Sequence, residues 1–218
     1  MRFSLFIAVL LAVLPVGATT LNQALNFFDR AVTGHDDAID PGFEAFSTLH
    51  EEAPDDALIL AYLGSLEAMR GGAAWMPWNK MKYANQGMEK LDQALVMRPM
   101  GDANAQTAPD IATAHLVAIS TYLAVPGFFN RFESAVSAYH DVVDSPHFAT
   151  LSPRLKAEFW ERGARIALKL EEEPQALALY QQSWGALNAI RDTDDTLTLE
   201  TLRTRVREAL DELEGTQP

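Results

Sequence analysis

The sequence predicts an all-α protein, a stack of helix-turn-helix repeats with about nine helices, sealed by a C-terminal capping helix. Apolar residues recur at helical spacing along almost the whole chain, as in Leu21, Leu25, Phe28 and Val32 near the start and Leu202, Val206, Leu210 and Leu213 near the end. Helix-breaking chemistry interrupts that pattern at regular points, and no segment alternates with the period of two that a half-buried strand requires. At 48% hydrophobic and 22% charged, the 218 residues have the balance of a folded chain rather than a disordered one.

Residues 1–18 read as a secretory signal. Arg2 supplies the charge, Leu5 to Leu14 the apolar run, Pro15 the break, and Val16-Gly17-Ala18 a small-residue cleavage site, so the mature helical domain is expected to span 19–218. The apolar run is well short of the roughly 20 residues that an α-helix needs to cross a bilayer. The breaks that follow are Asp40-Pro41, Pro54-Asp55, Gly71-Gly72, Pro99 to Pro109, Pro126-Gly127, Ser152-Pro153 and Glu173-Pro174. Asp40 is expected as the N-cap ahead of Pro41.

Within the helices a small residue precedes a bulky one by four positions in Gly42/Phe46, Gly87/Leu91, Ala135/Tyr139 and Ala176/Tyr180, and Pro54 and Pro99 follow Phe46 and Leu91 by eight. Leu60, Leu63 and Gly64 give a bulky-x-x-Leu-Gly opening, and Trp160 and Ala164 stand ahead of Ala176 at repeat spacing. From Leu21 to Gly185 the chain therefore resembles the tetratricopeptide-repeat (TPR) superfamily. The resemblance implies stacked helix pairs, each burying a face that it cannot bury alone, with Leu197 to Leu213 as the cap and its Glu and Arg residues outside. Gly163 stands where that pattern usually has Leu, and Glu67 and Ala167 where Tyr is common. Trp160 and Trp184 occupy repeat-packing positions and are expected in the core.

Composition removes several classes of function. With no cysteine, disulfides, thiol catalysis, Cys-ligated zinc and an N-terminal lipid anchor are excluded. A formal net charge of −13 argues against nucleic acid and anionic membranes as partners, since phosphate binding needs concentrated Lys and Arg. No His-Glu-x-x-His, Gly-x-Ser-x-Gly or phosphate-loop pattern occurs, and no cofactor is implied. His140, Asp141, Asp144 and His147 read as a solvated helix end rather than a metal site, and His35 to Asp40 lacks the ligand rhythm of a calcium loop. The acidic runs Glu171 to Glu173 and Asp194-Asp195 read as hydrated helix ends.

Two repeats carry extra residues between their first and second helices, about Gly71 to Tyr83 and Val125 to Arg131, on what should be one edge of the stack. Both are aromatic and basic, which is unusual for connections and points either to a local mini-core or to an exposed binding patch. Met81, Met88 and Leu91 form an apolar helical side within the first. The candidate partner-binding residues are Trp75, Trp78, Lys80, Tyr83, Phe128, Phe129, Asn130 and Arg131, of which Trp78, Lys80, Tyr83, Asn130 and Arg131 are expected to form a pocket or lip for an acidic or carboxylate-bearing group. Three functions follow. One is a non-enzymatic adaptor or scaffold, periplasmic or secreted, for a protein or peptide partner in the cell envelope. The second is a small-molecule or lipid-binding accessory protein of an envelope transport system. The third is an enzyme with a site dispersed over Glu67, Arg70, Lys80 and Arg131, which is disfavoured by the missing motifs.

Overall fold

The computed structural model describes residues 20–190 and 197–215, so the expected signal at 1–18, its cleavage point at Thr19 and the Asp194-Asp195 run lie outside the described residues. Among them the chain forms helices only: α1 (Leu21–Val32), α2 (Ile39–Glu52), α3 (Ala57–Ala73), α4 (Pro77–Met97), α5 (Ala108–Ala124), α6 (Phe132–Val143), α7 (Pro153–Lys169), α8 (Glu173–Asn188) and α9 (Leu197–Gly215), with short 3-10 turns between some of them. No described helix is long and apolar enough to cross a membrane.

Local chemistry sets most of the ends. Thr20 and Gln23 form a capping box on α1, with the Thr20 amide donating to Gln23 Oε1 at 3.0 Å and the Gln23 amide to Thr20 Oγ1 at 3.3 Å. Asp56 accepts from the amides of Leu58 and Ile59 and so starts α3, while Ser152 does the same for Leu155 at α7. Pro77 and Pro153 open α4 and α7 at positions where a missing amide proton costs nothing. Asp40 is not the N-cap of α2. A 3-10 turn at Asp36–Ala38 runs directly into the helix, which places Asp40 in the first turn, where it pairs with Arg70 Nε at 2.8 Å.

The helices stack as expected for a TPR-like arrangement. Each even-numbered helix packs on its odd-numbered predecessor, α1 on α3, α3 on α5 and α5 on α7 form a continuous inner layer, and α9 covers α8. All four small-bulky pairs are buried, with Phe46 and Leu91 fully inaccessible. Burying each such large apolar side chain contributes about 1.5–3 kcal/mol. Tyr62 joins the first two pairs, meeting Phe28 edge-on at 4.7 Å and Phe46 face-on at 4.9 Å, and a buried Ser65–Thr121 hydrogen bond of 2.9 Å ties α3 to α5.

Three sequence expectations are corrected. Gly71-Gly72 does not end α3, which runs on to Ala73, so the connection to α4 is only Ala74 to Met76 and the extra residues lengthen helices rather than a loop. Gly71 is a packing glycine: a Cβ there would lie 2.9 Å from the Ala84 amide nitrogen and the Lys80 carbonyl oxygen. Phe159 rather than Trp160 fills the core of α7; Trp160 is half-buried against Phe148, and the half-buried Trp184 carries the Arg207 guanidinium over its ring at 4.9 Å. The arginines of α9 are not all outside, since Arg205 turns inward and pairs with the fully buried Glu161 at 3.3 Å.

Candidate functional site

The inner layer of odd-numbered helices lines a half-open cavity of about 660 Å3, and the N-terminal part of α4 and the α5–α6 connection complete its wall. Phe28 and Val32 of α1 line it. The apolar stripe read on that helix therefore faces the cavity in part, and the buried residues of α1 are Ala24 and Ala31. Met81 likewise lines the cavity at 43% exposure, whereas Met88 and Leu91 are core. A second hollow, about 560 Å3 between α1 and α2, has Glu44 as its one charged lining residue among the described residues.

The charge inside the large cavity is the reverse of the chain's. Lys80, Arg154, Arg162, Arg165 and Arg205 line it against Asp29 and Glu158, whereas the whole sequence has 17 basic and 30 acidic residues. Four of the five cations stand on α7 and α9. Arg154 Nε donates to Glu158 Oε1 at 3.0 Å and its Nη2 to Thr198 Oγ1 at 2.8 Å, which braces α7 against α9. Arg162 donates from Nε to Ser120 Oγ at 2.8 Å and from Nη1 to the buried carboxylate of Glu161, which Arg205 also engages. Arg165, half-buried, makes no hydrogen bond or ion pair among the described residues.

Such crowding has an electrostatic cost. Burial, with Arg165 and Arg205 nearby, pulls the Arg162 guanidinium down to about 9, and burial and Arg205 lower Arg165 as well. Opposite them, burial raises the Asp29 carboxyl above the ordinary carboxylate range; Arg154 opposes that shift and Glu158 adds to it. The apolar part of the wall comes from Phe28, Val32, Met69, Met81 and Phe129, on α1, α3, α4 and the α5–α6 turn. A cationic wall and an apolar wall therefore share one cavity.

The eight residues singled out in the sequence divide into three groups. Lys80, Phe128 and Phe129 meet at the cavity, with Phe128 65% exposed at its edge and its ring centroid 4.5 Å from that of Phe129. Trp75 and Trp78, at the α3–α4 turn, are 89% and 63% exposed and do not line the cavity. Tyr83, Asn130 and Arg131 hold the architecture. Arg70 lies between the rings of Phe43 and Tyr83, at 4.3 and 5.0 Å, while it pairs with Asp40. Asn130 adopts the left-handed conformation (φ 54°) that closes the turn before α6, a geometry Asn tolerates better than most residues. Arg131 chelates Asp92 at 2.8 and 3.0 Å beneath the Tyr122 ring, and Tyr122 Oη donates to the same carboxylate at 2.6 Å.

Of the four residues of the dispersed enzyme site, three are held in separate ion pairs and only Lys80 lines the cavity. Glu67 pairs with Lys90, Arg70 with Asp40 and Arg131 with Asp92. His140 Nδ1 meets Asp144 at 3.1 Å on an exposed helix end. The sequence reading missed Asp29, Arg154, Glu158, Arg162, Arg165 and Arg205. A signal existed: Arg154, Glu158, Arg162 and Arg165 are spaced to lie along one face of α7, and a first helix of a repeat pair lines the inside of the stack. No family model, curated protein or solved structure matches the chain.

Proposed function

We propose that this chain is an exported, non-enzymatic member of the TPR superfamily, working in the periplasm or outside the cell as an adaptor for an envelope protein. One observation carries the reading: Trp75, Trp78 and Phe128 leave large apolar surfaces in solvent at two neighbouring connections, with Lys80 and Lys82 exposed beside the tryptophans. Exposed aromatics flanked by cations are the residue types that anchor protein interfaces. In a chain of net charge −13 these lysines give the lip a local positive character, so the partner surface it fits is acidic and presents an apolar pocket.

Capture from an envelope extract tests this. Because Trp75 and Trp78 lie outside the cavity, a Trp75→Ala/Trp78→Ala variant removes the lip and leaves the cavity intact. Crosslinking followed by mass spectrometry should recover a partner with the native protein and lose at least about nine-tenths of it with the variant, a loss of the size expected for aromatic hot spots. Equal recovery by both proteins contradicts the adaptor reading. The cavity favours a second reading, a small-molecule or lipid-binding accessory protein, because about 660 Å3 lies within the range of roughly 300–1,000 Å3 typical of such sites.

A further inference from the structure

Resting on that second reading, we infer that the cavity is a site for a single-chain amphiphile with a carboxylate head, its head held by Arg162, Arg165 and Arg205 and its chain laid along Phe28, Met69, Met81 and Phe129. The charge balance points to the head. Arg162 and Arg205 share Glu161, a carboxylate buried beneath the wall, and Arg165 has no hydrogen-bonding or ion-pair partner among the described residues. Arg162 and Arg205 thus share one buried anion, Glu158 acts on Arg162 from the cavity wall, and Arg165 lies close enough to both other guanidiniums to be repelled by them; an anion entering from the cavity relieves that repulsion while accepting the Arg165 donors. Planar guanidiniums match the two oxygens of a carboxylate.

The rest of the wall points to the tail. An extended peptide brings an amide donor and a carbonyl acceptor with every residue, and each must find a partner when it leaves water. Of the hydroxyls that line the cavity, those of Thr33, Thr113, Ser120 and Thr121 already donate to nearby backbone carbonyls, and the Phe28, Met69, Met81 and Phe129 side chains offer no partner, whereas an alkyl chain needs only apolar surface, and methionine adapts readily to its shape. The cavity also has two sides. Asp29 on α1 and Arg154 and Glu158 on α7, the fourth odd-numbered helix, line the same cavity and their charges act on one another, so the first helix faces α7 across it.

Isothermal titration of the purified protein with dodecanoate below its micellar concentration, beside dodecan-1-ol and an apolar pentapeptide with a free C-terminal carboxylate, decides the matter. Dodecanoate should bind at one site per chain, and the alcohol and the peptide should bind about tenfold more weakly or worse, as loss of a charge-assisted contact or burial of unpaired amides requires. Arg165→Gln should weaken dodecanoate by a similar factor and leave the alcohol unchanged. Since Arg165 supports no other described side chain through a hydrogen bond or ion pair, this variant avoids the folding risk of Arg162→Gln, and an unchanged helical melt verifies that. Equal binding of dodecanoate and dodecanol, with no effect of Arg165→Gln, overturns the head-group site while keeping the cavity as an apolar pocket. Equal binding of the peptide overturns the choice of chain. No binding of any probe overturns the ligand-binding reading itself.

Discussion

Asp29 shows how a single residue senses the cavity around it. Its carboxyl is raised by burial above all, with Arg154 pulling the other way and Glu158 adding to the rise. A raised carboxyl contributes stability that is complete below the ordinary aspartate value of about 4 and is lost as pH rises through its folded-state value. Asp29→Asn mimics the protonated form, so it should raise Tm at pH 7, with the gain vanishing as pH falls below about 4; thermal melts across that range check both halves. Residues of this kind were not legible in the sequence, because an aspartate on an amphipathic helix looks solvated until the opposite wall is known. Gly163 was legible only as a departure from the repeat pattern. Its reason is steric: a Cβ would lie 2.3 Å from the Tyr139 hydroxyl and 2.6 Å from Cζ, so the Tyr139 ring occupies the space that a Leu would fill.

Among the helix pairs, α3 and α4 approach most closely at glycines. A Cβ on Gly87 would stand 2.4 Å from the Gly64 carbonyl oxygen and 2.5 Å from the Ala68 amide nitrogen, and both obstacles are backbone. Gly87→Ala must therefore push two helices apart and should cost about 3 kcal/mol or more, at the upper end of overpacking effects. Gly72→Ala is the control. It lies in the same helix pair with nothing within 4 Å of its would-be Cβ, and it should stabilise by roughly 0.5 kcal/mol through helix propensity alone; chemical denaturation separates the two. Helix-breaking pairs made most helices readable, as Pro54-Asp55 ahead of α3 and Ser152-Pro153 at the start of α7 show. The Gly71-Gly72 pair misled because glycine signals either a turn or a close approach, and only the partner helix distinguishes them.

At the scale of the whole molecule, the chain carries two surfaces with different chemistry. The aromatic lip was visible from sequence because aromatics and lysines are out of place in a connection. The arginine wall was not, since it is assembled from α7 and α9, which are far apart in sequence, and because a charged stripe on a helix reads first as a wet face. Stacking of the helices turns that stripe toward the cavity. The central claim is that the ligand enters this cavity, and the methionines report on it directly. Met69 and Met81 line the cavity, Met88 and Met100 are buried elsewhere in the core at 1% and 3% exposure, and Met97 is exposed outside it. Methyl-labelled methionine NMR with dodecanoate added should move the resonances of Met69 and Met81 and leave those of Met88, Met97 and Met100 in place. Binding that moves Met97 while Met69 and Met81 stay fixed would contradict the account.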